Sequence, residues 1–125
     1  MKIKIAETTP IQIDYLVAKC EGYEAGLAMQ QDFKTDQLVP VEPRHMISIP
    51  EGWNCGYSIN WMLGGPIIER EGLSVEPFKG RANDWRCFEF KVGHVYAGPT
   101  PLIAAMRCFI ASRLGDEVEI PEDLK

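Results

Sequence analysis

The run TPLIAAMRCFIASRLG, residues 100–115, constrains this chain more than any other segment. Thr100 is placed to cap a helix, Pro101 to take its first position and Gly115 to follow its end, which predicts a helix over about 101–114. Leu102, Met106, Phe109, Ile110 and Leu114 make a wide apolar stripe, and Ala104, Ala105, Cys108 and Ala111 are small enough for close packing on most other sides. Such a helix is expected to be largely buried. Yet Arg107 stands as the only charge among Leu102–Ser112. A guanidinium in that setting snorkels to water, pairs with a carboxylate, or points its donors at an anionic ligand. Arg113, near the helix end, is explained by the helix dipole.

A chain of 125 residues, 46% of them hydrophobic, supports one domain with a sizeable core. Lys2 to Ile5 alternate polar and apolar, as in a short strand. Thr8-Thr9-Pro10 supplies a hydroxyl acceptor and a first-turn proline for a helix over about 10–21, with Gly22 as its stop. Ile13, Leu16, Val17 and Cys20 fall on its apolar face, while Asp14, Lys19 and Glu21 are placed outward. Periodicity then fades over a variable, loop-like stretch at about 23–57, where Gln37–Val41 and His45–Ile49 are candidate strands of a hairpin around Glu42-Pro43. Pro66 at a first helical position and Gly72 as a stop predict a short helix over 66–71, with a strand through Ile67 and Ile68 as the alternative. Alternation over Leu73–Phe78 and Trp85–Val92 predicts antiparallel neighbours, followed by a further strand over Gly93–Ala97. In the second run Arg86, Phe88 and Phe90 share one face, and Trp85, Cys87, Glu89 and Lys91 the other, so one face is the more apolar.

Thirteen bases and eighteen acids give a net charge of −5. Residues 115–125 hold five of the acids and one base, so this acidic tail carries −4 and residues 1–114 only −1. Its simplest role is to solvate a chain end. The balance argues against general duplex DNA binding, which needs a basic stripe. Cys20, Cys55, Cys87 and Cys108 show no CxxC pair and no histidine at ligand spacing, so no metal or other cofactor is expected. The N-terminus lacks the apolar region of a secretory signal, and the longest apolar run, Pro101 to Met106, is too short to span a bilayer. These features predict a cytoplasmic protein with reduced thiols.

No catalytic motif emerges. Glu69 and Glu71 lie two apart, on different helical faces, and read as solvated. His45 and His94 have no evident nucleophile or carboxylate partner. Gly64-Gly65-Pro66 ahead of a helix can present backbone donors to a phosphate, though it matches no Walker or dinucleotide fingerprint. Trp53, Trp61 and Trp85 suit a core, an interface or base stacking. Lys79, Arg81, Arg86 and Lys91 form a modest basic stretch, interrupted by Asp84 and Glu89, too weak to imply nucleic acid.

The LVAKCEG ending of the first helix, Tyr57-Ser58-x-Asn60-Trp61, GGPIIERE from Gly64 and the closing run GPTPLIAAMRCFIASRLGDEVEIPEDL resemble the NinX-like family of small phage and prophage proteins. The likeness spans nearly the whole chain outside the middle loop. Asn60 stands where the family pattern leads one to expect an aspartate, and no catalytic residue carries over. A weaker likeness, through the closing Pro-Leu-x-Ala-x-x-Arg helix, extends to phage domains described as α-β-α sandwiches, some of which sequester nucleotide signals of bacterial immunity. These resemblances imply an α+β fold, with an antiparallel sheet of about three to four strands packed against N-terminal and C-terminal helices. They also imply a phage accessory protein that binds and does not catalyse. On the leading reading a small anionic ligand such as a nucleotide is held by Arg107 or Arg70, stacked by Trp61 or Trp85 and hydrogen-bonded by Ser58 and Asn60. The alternative is a homo-oligomeric interaction protein whose exposed aromatics contact a host or phage protein.

Overall fold

The computed structural model describes residues 1–21, 28–32, 37–41, 56–80, 84–120 and 122. Its elements are β1 (Lys2–Lys4), a 3-10 turn (Ile5–Glu7), α1 (Pro10–Cys20), β2 (Ala28–Asp32), β3 (Gln37–Val41), α2 (Trp61–Glu71), β4 (Ser74–Pro77), β5 (Trp85–Glu89), β6 (His94–Gly98), α3 (Pro101–Leu114) and β7 (Glu117–Glu119). The fold is α+β, as expected. Its described strands form an antiparallel three-stranded sheet, β4-β5-β6, and two antiparallel pairs, β1-β7 and β2-β3.

Helix α3 organises the rest. The three-stranded sheet packs on it from one side, while α1 and α2 pack against α3 itself. Nine of its residues, Leu102 to Met106 and Cys108 to Ala111, are buried, so it is covered nearly all round. Its ends match the sequence reading, with the Thr100 hydroxyl accepting from the Ile103 amide at 3.1 Å and Gly115 following at φ 92°. Small residues let neighbours come close. A Cβ on Gly98 would lie 2.7 Å from the Ala104 nitrogen, so β6 can run against α3 only with glycine there.

Helix α1 is also capped as its sequence predicts, by a reciprocal box. Thr9 Oγ1 accepts from the Gln12 amide, and Gln12 Oε1 accepts from the Thr9 amide. Its proposed stop, Gly22, lies outside the described residues. Asp14 corrects the helical-face assignment, because it points inward and is buried.

Helix α2 starts five residues before the predicted position. Asn60, not the turn ahead of Pro66, is its N-cap, with Oδ1 accepting from the Met62 amide at 2.9 Å, and the strand alternative through Ile67 and Ile68 does not hold. Gly64, Gly65 and Pro66 therefore lie inside a helix, where they cannot form a phosphate-binding N-terminus. Each has a local reason. A Cβ on Gly64 would meet Leu102 Cδ2 at 2.6 Å and the Tyr57 carbonyl at 2.7 Å, and Gly65 precedes a proline whose ring crowds any side chain before it.

Two further boundaries shift. Strand β5 stops at Glu89, not Val92, because the Glu89 carboxylate turns back to accept from the Lys91 and Val92 amides and Gly93 adopts φ 94°. Strand β3 pairs with β2, and its candidate partner His45–Ile49 lies outside the described residues. The acidic C-terminal segment does more than solvate a chain end. β7 pairs with β1 so that Glu119 faces Lys2 and Glu117 faces Lys4, and Val118 and Ile120 are buried.

Proline inside α2 removes an amide donor, whereas glycine at position 64 is required by packing. Gly64→Ala is expected to lower the unfolding free energy by about 1–3 kcal/mol. Pro66→Ala, at an exposed position, should raise it by about 1–3 kcal/mol by restoring the bond to the Met62 carbonyl. Urea unfolding of the two variants checks the opposite signs.

Candidate functional site

Arg107 leaves α3 between the 3-10 turn and the end of β6. Its Nε donates to Thr8 Oγ1 at 3.2 Å, one Nη donates to the Thr8 carbonyl at 2.7 Å, and the other donates to the Ala97 carbonyl at 2.8 Å. Three of its five N–H groups are thus engaged and two remain. Among the described residues no carboxylate pairs with it, and burial works against its charge. The side chain lines an open cleft of about 240 Å³ with Ala6, Asp84, Ala97, Gly98 and Pro99. Its chemistry is that of a fixed cation lining a small space that Asp84 also borders.

The other predicted site residues do not line this cleft. Arg70 forms a bidentate pair with Glu21, both bonds at 2.9 Å, and its Nε binds Glu71 at 2.9 Å. Arg113 completes the network by donating to both Glu71 oxygens at 3.1 Å. Both guanidiniums lie over the Phe109 ring, at 5.6 and 5.2 Å from its centroid. The cluster joins the C-terminal ends of α1, α2 and α3, and Arg70 first among its causes holds the Glu71 carboxyl below its usual range. Glu71 is therefore largely covered, contrary to the solvated reading, while Glu69 is exposed.

Ser58 is buried, and its amide donates to Asp14 Oδ1 at 2.9 Å, tying α1 to the turn before α2. Asn60 is committed to capping. Trp61 stands exposed at the start of α2 with Ile59 and Met62. Trp85 is half-buried on the core side of β5. Trp53, Arg81, His45 and Cys55 lie outside the described residues.

One polar chain escaped the sequence reading. His94 does have a carboxylate neighbour, with Nδ1 3.1 Å from Glu89 Oε2 and Nε2 3.9 Å from Asp116 Oδ1, which also accepts from the Tyr96 hydroxyl at 2.6 Å. Burial opposes the Glu89 charge, but bonds from His94 and the Val92 and Lys91 amides hold its carboxyl below the usual range. Only the Glu-x-x-x-x-His spacing across a turn hinted at this. Cys108 donates to the Cys87 and His94 carbonyls, and hydrogen bonding with Cys87 together with burial pushes its thiol up, away from nucleophilic use. Cys20, Cys87 and Cys108 form no disulfide, and among the described residues no group of three histidine, cysteine or acidic side chains is placed to hold a metal. No described helix is long and apolar enough to cross a membrane.

Burial pushes the Asp14 carboxyl up to about 6, against the pull of the Ser58 amide and hydroxyl. The folded protein then binds this proton more tightly than the unfolded chain, whose aspartates titrate near about 4. The resulting stability is fully present below that pH and is lost as pH rises through about 6. Asp14→Asn keeps an acceptor for Ser58 without the charge. It should raise stability by about 2–3 kcal/mol above neutrality and leave it unchanged near pH 4. Denaturation at both pH values checks this, and parallel pH profiles for the two proteins contradict it.

The family described as Bacteriophage P22, NinX matches residues 4–113, a span from the end of β1 to the last turn of α3 that contains Arg107 and the three-helix ion network. No curated protein matches the chain. With 110 of its 125 residues inside that match, the chain belongs to the Bacteriophage P22 NinX family and is a phage accessory protein.

Proposed function

We propose that this phage accessory protein works by binding, and that its ligand is a small anion, such as the phosphate of a nucleotide, held at the Arg107 cleft. One observation carries the reading: a half-buried guanidinium without a carboxylate partner among the described residues lines an open cleft with two of its five donors uncommitted there. The cleft, at about 240 Å³, is smaller than a typical pocket for a whole drug-sized ligand. It suits a phosphate or phosphosugar, with the rest of the molecule outside. Asp84 disfavours a second phosphate and can accept from an amino-bearing base. Arg107 alone of the six predicted residues serves this role. The protein acts in the host cytoplasm on this reading.

A second reading rests on Ile59, Trp61 and Met62, which are 72%, 55% and 84% exposed at the start of α2. Three adjacent exposed apolar side chains suit contact with another protein, including a second copy of this chain.

Inorganic phosphate, pyrophosphate and a panel of nucleotides at millimolar concentration separate the readings. Under the first, one of them raises the melting temperature by mass action, Asp84→Asn enlarges the rise, and Arg107→Lys, which retains the charge but not the fork, reduces it. No rise with any of them contradicts the anion site. Self-association that Trp61→Glu abolishes would then favour the second reading.

A further inference from the structure

The outer face of the β4-β5-β6 sheet carries a strip that neither reading uses. Register places Ser74, Phe88 and Val95 in one cross-strand row and Glu76, Arg86 and Ala97 in the next, on the face opposite the buried Cys87. Helix α3 packs on the sheet, which buries Cys87, whereas on this face Ser74, Phe90, Val95 and Ala97 are exposed. On this face aromatic rings and a guanidinium form a column. The Arg86 guanidinium lies 5.2 Å from the Phe78 ring centroid and 5.0 Å from that of Phe88. Phe88 and Phe90 stack at 6.2 Å with 15° between their planes. The column ends on Phe90, which is 75% exposed.

The charges around the column differ from the tally along the chain. Glu89 counts there against the neighbouring bases, but it turns to the inner face and is buried, its carboxylate taken up by backbone amides and His94. Glu76 pairs with Arg86. Lys79 and Lys91, next in the chain to Phe78 and Phe90, are exposed and form no ion pair among the described residues. With Asp84, whose carbonyl accepts from the Phe78 amide, also counted, Arg86, Lys79 and Lys91 against Glu76 and Asp84 leave a local surplus of one positive charge, although the whole chain is acidic.

We propose that this strip binds single-stranded nucleic acid. A base stacks on the open side of Phe90 and extends the column, while Lys91 attracts the adjoining phosphate and Lys79 continues the positive rim at the Phe78 end. Aromatic side chains on a sheet surface, flanked by cations, bind single strands without strict sequence preference because every base has a flat face. Bases within a duplex are already stacked and cannot reach Phe90. A second copy docked on the same face would bring the two Lys91 ammonium groups together beside a shared Phe90 contact, which disfavours that occupant.

Fluorescence anisotropy of labelled oligothymidylate and oligouridylate with the full chain tests this. Both single strands should bind at low salt, and a duplex should not compete. Phe90→Ala should weaken binding by about tenfold, as loss of one base stack implies. Lys91→Glu should weaken it and flatten its salt dependence. Tighter binding of one of the two strands identifies DNA or RNA as the source. No anisotropy change at millimolar protein, or binding indifferent to Phe90→Ala, overturns the proposal. So does a dimer that Phe90→Ala dissolves in the absence of any oligonucleotide binding.

Discussion

A helix covered on nearly every side leaves Arg107, the one charged side chain of its middle, only half-exposed, and the arrangement around α3 follows from that constraint. Leaving the Arg107 donors unpaired would cost more than their bonds contribute, so the structure brings acceptors to them. Two come from Thr8 and one from the Ala97 carbonyl. The same three bonds fix the turn before α1 and the last part of β6 against α3. An arginine that began as a burden on a buried helix thereby joins three parts of the chain.

The close approaches around α3 rest on small residues. Gly98 admits the backbone of α3 to β6, and Gly64 admits Leu102 to α2. At the opposite end, where α1, α2 and α3 finish, Glu21, Arg70, Glu71 and Arg113 enclose the Phe109 ring. These pairs, whose arginines are half-exposed, are worth little singly, but as a network they hold three helix ends in register. The molecule thus commits Arg70, Ser58 and Asn60 to architecture. Among the described residues it leaves open the Arg107 cleft, the start of α2 and the outer face of the sheet.

Capping was the legible part of the fold. Thr9 and Thr100, each followed by proline, announced α1 and α3 because local side-chain and backbone chemistry sets those ends. The same rule misplaces α2: Pro66 suits a first position, but Asn60 caps the helix and the proline lies inside it. Asp14 was assigned outward because its partner, the Ser58 amide, lies 44 residues away and periodicity cannot register it. Glu89 was counted among the charges of a surface stretch because a carboxylate folded back on its own turn looks the same in sequence as a solvated one. The acidic C-terminal segment hid a strand because its partner is at the other end of the chain. For the candidate site, Arg107 was visible as an isolated charge, but its acceptors, two of them 99 residues away at Thr8, were not.

The Arg107 guanidinium is held as a rigid brace with donors to spare. Side-chain nitrogen NMR of the ligand-free protein tests it most directly. A braced guanidinium gives a protected Nε–H and separate, slowly rotating Nη resonances for Arg107. A single averaged Nη signal and rapid exchange with water, as for an unrestrained surface arginine, would contradict the account.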